Sequence, residues 1–526
     1  MDKDKIRLLR RICLIACIAV YVFFAWHSDD AYHAYIMAKN LVEGNGFVYN
    51  AGERVNASTC PLFTLCVAAI YFVCRNMFIS GLAAGILFSG LTAYIILYKV
   101  AQNEKQIIFS VIALVGSTCY VSYTTAGLEN SLLYFLSAVF YYIFFTKKEY
   151  TSKDLFFMGL MVGLTGVTRM DAVLFFVIPV CWAYLFKRKN CSFIKCVGIG
   201  MAALSPFIMW EIFSVLYYGF FIPNTAFAKL STGISHVEYF ERGIHFVKIS
   251  CLYDVFLAII PIVYMILCIW NRNLKRVLSA VSIIMYFGYV LYIGGDFMVG
   301  RHLTVLYFIA TLGCLFFLKE FENDKRMNSV VVGSVVLAMM INILIPSSYV
   351  SQYLFGGEHS RYSGGVADER AFYTSRTGLL SNVKHIIRGE GLQVRKAWEI
   401  TDYSEYKDAK GVVLEWAPGI VVYYDTKNIH LVDNFALGDP LLSKLPVKYV
   451  EDWRIGHTYR EIPEGYQESL ATMTNQIKDE ALHEYYDKLL LVVRGKLFTK
   501  ERIKTIVDMN LGKYDYLLEE YLANKG

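Results

Sequence analysis

The chain has 526 residues, 56% of them hydrophobic and 18% charged, with a formal net charge of +6. That modest positive charge sits mainly in short links between apolar runs, which marks membrane topology and excludes a nucleic-acid-binding surface. The 12 cysteines fall between Cys13 and Cys314 without regular pairing or metal-ligand spacing, so neither a disulfide framework nor a zinc site is expected.

At the N-terminus "KDKIRLLRR" leads into an apolar stretch that no small-residue cleavage pattern follows, which reads as a retained anchor. Twelve apolar segments then run along the chain, at roughly 11–26, 61–74, 79–98, 106–121, 127–146, 154–168, 171–186, 193–217, 251–270, 276–294, 302–318 and 328–345. The basic links "KDKIRLLRR", "YKVAQNEK", "TKKEYTSKD", "FKRKNCSFIK", "NRNLKR" and "LKEFENDKR" belong in the cytoplasm by the positive-inside rule. "HSDDAYHAY", "TTAGLEN", "TRMDA", the stretch from "YYGFFIPNTAFAK" to about 250, and "GGDFMVGRH" then face outward, as does the charged C-terminal part. An exoplasmic C-terminus needs an odd number of crossings, so one segment does not cross. The candidate is 61–74, between Pro61 and Arg75, because its helix reaches only about 21 Å.

The expected fold is a polytopic α-helical membrane protein of the plasma (inner) membrane with about 11 crossings, N-terminus cytoplasmic. Residues 1–348 form the membrane domain and 349–526 a C-terminal exoplasmic α/β domain. In that domain "KGVVLEW" and "GIVVYYD" read as strands and "ESLATMTNQIKDEALHEYYDKLLLVV" as helix. Without cysteines it rests on its hydrophobic core.

Polar groups collect at span ends on the outer face. Asp29 and Asp30 precede a segment in which Ala31, Tyr35, Ala38, Leu41 and Val42 recur at helical spacing, a short amphipathic helix expected to lie on the outer surface. One of the two acids is explained as an N-cap or first-turn acid. A cap uses one side chain, which leaves a carboxylate at the water–lipid boundary able to take a proton from an incoming hydroxyl. Glu129 and Asp171 are further span-end acids, and Arg169, Lys229, Arg301 and His302 are cations of the same layer. Each alone is explained as an interfacial or snorkelling residue. Acids beside cations on one face suit a transfer reaction whose leaving group is a phosphate, since prepositioned Arg or Lys binds the charge that develops on it.

An exoplasmic site has no access to nucleotide sugars, and neither GxxxxGK[ST] nor a strand-borne GxGxxG is present. A polyprenyl phosphate sugar meets both constraints. No cofactor is demanded; if a divalent cation (Mg, Mn or Ca) takes part, Asp29, Asp30 and Glu129 are its candidate ligands. "WRIGHTYREIPEGY" clusters Trp453, Arg454, His457, Arg460 and Tyr466, either as a surface for a glycan acceptor or as a loop packed on the membrane half. "NAS" at Asn56 fits a glycosylation sequon, a match frequent by chance.

"DDAYHAYIMAKNLVEGNGFVYNAGERV" resembles the first exoplasmic loop of GT-C class glycosyltransferases, in the branch of the mycobacterial terminal β-1,2 arabinofuranosyltransferase family. The resemblance continues in order through "AGLEN", "TRMDA", "YYGFFIPNTAFAK", "GGDFMVGRH", "GVADERAFY", "HLVDNFALGDPLLSKLP", "WRIGHTYREIPEGY" and "YYDKLLLVVRGKLF", from residue 29 to about 498. It implies a GT-C fold that moves a sugar from a polyprenyl phosphate, decaprenyl phosphoarabinose in the mycobacterial case, to a cell-envelope glycan outside the membrane. The first-loop acids, here Asp29 and Asp30, are the implied catalytic residues. The "GGDFMxGR" element carries over to Asp296 and Arg301, and "PNTxxAK" to Asn224 and Lys229. Arg169, Met170, Asp171 and Ala172 replace the family's Arg-Pro-acid-Gly, Val299 stands where Pro is common, and "NASTCPLF" replaces a "YTNPLW"-like segment. These departures leave the sugar open between an arabinofuranose-like pentose and another. If a β linkage is made from a β donor, a covalent carboxylate intermediate enters the mechanism. The alternatives are a lipid-linked sugar transporter or flippase, and a GT-C transferase adding a hexose to lipopolysaccharide or protein.

Overall fold

The computed structural model describes residues 3–230, 232–345, 362–393, 411–415, 419–420, 423, 429–451 and 453–525. Helices α1 (Lys3–Phe23), α2 (Ala31–Val42), α3 (Pro61–Cys74), α4 (Met77–Tyr94), α5 (Glu104–Gly116), α6 (Thr118–Ser122), α7 (Asn130–Thr146) and α8 (Ser152–Thr168) come first. They are followed by α9 (Val177–Phe186), α10 (Phe193–Ala203), α11 (Ser205–Tyr217), α12 (Asn224–Leu230), α13 (His236–Tyr253), α14 (Phe256–Asn271), α15 (Leu274–Tyr292), α16 (Leu303–Glu320) and α17 (Lys325–Leu344). Among the described residues four helices are long and apolar enough to cross a bilayer, or six if each of two bent helix pairs is one span. Other apolar segments form shorter helices: α7, with 17 residues, extends only about 25 Å.

The chain folds into two compact units, neither continuous in sequence. The first comprises residues 1–28, 78–207 and 235–389. Its centre is α16, which packs on α5, α7, α14 and α15. Nearly the whole length of α16 is buried, consistent with a side chain set that is apolar all round. A turn at Asp254 separates α13 from α14: its buried carboxylate accepts from Ser117 Oγ at 2.6 Å, Cys119 N at 2.8 Å and Phe256 N at 3.1 Å. Strands β1 (Tyr362–Ser363) and β2 (Val366–Ala367) form a small antiparallel hairpin. Ala367 N donates to Phe297 O at 2.7 Å and Val299 N to Ala367 O at 3.1 Å, which pins the "GGDFMVGR" loop.

The second unit gathers residues 29–77, 208–234 and 390–526. Here α2 packs on α3, and Ala31, Tyr32, Ala34, Tyr35, Ile36, Met37 and Ala38 are all buried. The expected surface-lying amphipathic helix is therefore corrected: Tyr32, Ile36 and Met37 fill the face that periodicity left unassigned. Strands β3 (Gly411–Glu415) and β4 (Ile429–Asp433) pair in parallel. The helices Tyr466–Thr472, Glu480–Arg494, Lys500–Asn510 and Asp515–Lys525 form most of the rest. The single helix expected over 468–493 is interrupted after Thr472, where Met473 takes a left-handed φ of 59°. Val432, Leu441, Tyr466, Leu482, Tyr486 and Leu489 share its core. Arg502, buried, donates to Val492 O, Leu216 O and Tyr217 O at 2.7–2.8 Å. The β content of this unit is one strand pair among the described residues. Most of the expected strand "GIVVYYD" and the expected boundary at 348/349 lie outside them.

Candidate functional site

The two acids of the first loop differ in environment. Asp30 occupies the N-cap position of α2, yet its side chain makes no capping hydrogen bond. Asp29 is 8% exposed, and its Oδ1 accepts the backbone N–H of Ile420 at 2.8 Å. Neither acid acts as the side-chain cap that position alone suggested. A Cβ on Gly419 would lie 2.5 Å from the Asp29 carboxylate, so only glycine allows this approach. Burial pushes the Asp29 carboxyl up to about 7, the Ile420 and Gly419 N–H groups opposing it and the Asp30 charge adding to it.

One turn along α2, the His33 ring stacks on Tyr49 with centroids 5.5 Å apart. Tyr49 is buried, and neither its hydroxyl nor His33 Nδ1 has a hydrogen-bond partner among the described residues. Burial, then the charges of Asp433 and Asp29, hold the Tyr49 phenol well above its ordinary range, so it stays a neutral donor. Asp433 itself accepts from Phe435 N and Leu437 N, each at 2.8 Å. Sequence reasoning passed over His33 and Tyr49. The D-D-x-x-H spacing signals His33, which falls one turn after the acids; nothing local signals Tyr49.

His457 belongs to the same unit and senses Asp30, Arg454 and Lys229 together. Burial and then Arg454 push its imidazole down to about 4, with Asp30 opposing and Lys229 adding, which leaves the ring neutral at physiological pH. Gly456 lies beside Lys229: a Cβ there would stand 3.2 Å from Lys229 Cε. His457, expected to contact a glycan acceptor, thus lies within electrostatic reach of Asp30, Arg454 and Lys229.

Other expected ligands have structural work. Asn224 Nδ2 donates to Ala436 O, Leu437 O and Asp439 O at 2.9–3.1 Å, and Oδ1 accepts from Ser443 Oγ at 2.9 Å. It fastens the 436–443 loop and has no atom left for a phosphate. Tyr466, fully buried, donates to the Asp439 carboxylate at 2.9 Å, and Trp453 is 2% exposed, so neither offers a face to a glycan. Arg460 is buried with its guanidinium on the carbonyls of Ala228, Leu445 and Thr458. Asn56 of the sequon is also buried, its Oδ1 accepting from Ser58 N.

In the first unit Glu129, 1% exposed, accepts from Arg169 Nη1 at 2.7 Å and pairs with Arg301 Nη2 at 3.1 Å. Arg169 Nε meets Asp171 at 2.7 Å, and Arg301 Nη1 lies 3.5 Å from Asp296. His302 Nε2 lies 3.5 Å from Asp296 and 3.3 Å from Arg169 Nη2, and its Nδ1 is 3.0 Å from the Tyr286 hydroxyl. Burial opposes the Glu129 charge, but Arg301 and Arg169 outweigh it and hold the carboxyl down at about 2. The arginines expected to meet the donor phosphate are ion-paired here: two guanidinium groups face three carboxylates, so an incoming phosphate would have to displace an ion pair. Among the described residues no three His, Cys, Asp or Glu side chains form a metal-sized group.

No family model matches the sequence. Relatives at low identity are found. A terminal β-(1→2)-arabinofuranosyltransferase of Corynebacterium glutamicum is 24% identical over 347 residues, covering 56% of this chain and 49% of that protein. Its namesake in Mycobacterium tuberculosis is 23% identical over 421 residues, covering 69% of this chain and 66% of that protein. The chain is a distant relative of these arabinofuranosyltransferases. It spans about half the length of the first and just under two thirds of the second. The apolar helices support a membrane protein.

Proposed function

We propose that the chain is a membrane glycosyltransferase of the GT-C type, moving an arabinofuranose-like pentose or another sugar from a polyprenyl phosphate to an extracytoplasmic glycan. The observation that supports this reading is the buried Asp29 carboxylate, held by the Ile420 N–H at 2.8 Å, in the unit that also sets Gly456 against Lys229. Acid and cation in one unit match the two charges of the reaction. As the acceptor oxygen attacks the anomeric carbon, Asp29 takes the hydroxyl proton, a role suited to a carboxylate whose pKa approaches neutrality. The bond between that carbon and the phosphate oxygen breaks, and its electron pair leaves with the phosphate. Lys229 and Arg454 stabilise the charge gained there, while Asp30 orients the sugar through its hydroxyls. Asp296, Arg301, Arg169, Glu129, Asp171 and His302 act in this reading as a closed ion network that fixes the span ends.

The test is transfer by the purified full chain in vesicles, with a panel of polyprenyl phosphate sugars and envelope glycans. Asp29→Asn is expected to lower kcat by about 10²–10⁴-fold, and Lys229→Gln to raise the KM for the donor. Undiminished transfer by both Asp29→Asn and Asp30→Asn removes the proposed site. Movement of the lipid-linked sugar across the bilayer without turnover makes the chain a transporter instead.

A further inference from the structure

A second cationic cluster lies in the first unit, at the far end of α16. That helix has 18 residues, so about 27 Å separates the end at Arg301 and His302 from the end at Lys319 and Glu320. At this second end a cavity of about 310 Å³ opens between α7, α15 and α16, lined by Thr146, Asn273, Lys275, Arg276, Lys319 and Glu320. Three cations face one carboxylate, and Glu320 is itself half exposed.

The cavity is a built site, because its central cation is held and incompletely used. Arg276 is 2% exposed and lies over the rings of Phe317 and Phe321, 4.8 and 5.7 Å from their centroids. Its Nη2 pairs with Glu320, while Nη1 is buried without a hydrogen-bond partner among the described residues. An unpaired buried guanidinium N–H₂ is costly unless something accepts from it. Lys275 donates to the carbonyls of Phe144 and Lys147, which leaves one of its three protons. Arg and Lys donors converging on one space match a tetrahedral oxyanion, and the volume leaves room beyond it for the remainder of a headgroup.

We propose that this cavity binds a phosphate group, at the bilayer face opposite the one that carries Arg301 and His302. The same chemistry is offered by the headgroup of an anionic phospholipid and by free phosphate. The links "TKKEYTSKD", "NRNLKR" and "LKEFENDKR" at this end mark a cytoplasmic surface under the positive-inside rule, where both are present. The inference does not depend on the transferase reading, since none of these residues takes part in it.

Thermal unfolding of the full chain in neutral detergent tests it, titrated with inorganic phosphate or with short-chain phosphatidylglycerol. Chloride at matched ionic strength and phosphatidylcholine are the blanks. A saturable rise in Tm is expected with at least one phosphate source and not with the blanks. Lys319→Gln removes one charge-assisted contact at a partly exposed position and is expected to weaken the midpoint by about tenfold. Arg276→Lys, which keeps the charge but loses the planar fork, should weaken it as well, and Lys496→Gln, at an exposed position of the second unit, should titrate as wild type. Protection by inorganic phosphate identifies a soluble ligand, and protection by phosphatidylglycerol alone identifies a lipid headgroup. The proposal is overturned if neither source exceeds its blank, or if Lys319→Gln and Arg276→Lys both titrate as wild type.

Discussion

Replacing Asp29 with Asn separates catalysis from stability, because the same burial that would make this acid a base also makes its charge unfavourable. The carboxyl stands at about 7 in the folded chain against an ordinary 3.8, a gap of about 4 kcal/mol against the charged form. The folded state holds this proton more tightly than the unfolded chain, so the group favours folding at low pH. That contribution is lost as pH rises from about 4 through about 7. Asn has nearly the same shape, stays neutral, and can still accept the Ile420 N–H through its carbonyl oxygen. At pH 8 the variant should therefore melt above wild type, by up to about 4 kcal/mol in unfolding free energy, and at pH 4 it should melt with it. Transfer should behave in the opposite way: the wild-type rate rises with pH through about 7 as the base is unmasked, and the variant lacks that limb. Calorimetry at both pH values and a pH–rate profile on the same preparations read both effects. A variant that melts lower at pH 8, or that keeps the limb, refutes the reasoning.

Glu129→Gln should destabilise the first unit by about 3–5 kcal/mol, because it leaves Arg169 and Arg301 short of a buried counter-charge; chemical denaturation measures it. The Glu129 carboxyl is held down at about 2, so its stabilisation is complete above about pH 5 and fades as pH falls toward 2, which acid unfolding of wild type and variant compares. Asn224→Ala should lower stability by at least about 2 kcal/mol through the carbonyls it abandons while leaving the donor KM unchanged; a raised KM would restore the phosphate role. Tyr49→Phe removes a buried hydroxyl that has no hydrogen-bond partner among the described residues, so Tm should hold or rise. If that hydroxyl serves the sugar, the substrate KM should rise by about tenfold.

What the sequence disclosed was the kind of side chain and its place along a span; what it withheld was the partner. Asp29 and Asp30 stand out because acids directly after an apolar run need a reason. The groups that define Asp29, Gly419 and Ile420, lie 391 residues away in the case of the bonded N–H, beyond any local pattern. The span-end charges were legible as one layer, but Arg301 and Glu129 are 172 residues apart, and only folding shows that they neutralise each other. The motif around Asn224 suggested a ligand, and its amide donors meet carbonyls more than 200 residues further on, which no local pattern announces. Helix α2 was readable from its spacing, yet a period identifies one buried face and says nothing of a helix enclosed on several sides.

The unit that houses Asp29 also sets a timetable for biosynthesis. Ile420 leaves the ribosome 391 residues after Asp29, which at ordinary elongation rates is about 20–80 s. Throughout that interval Tyr32, Tyr35 and Met37, all buried in the finished protein, have been synthesised without the last segment of their enclosure. The nascent chain must keep this aromatic stretch sheltered, in the insertion machinery or by a chaperone, until translation is nearly complete.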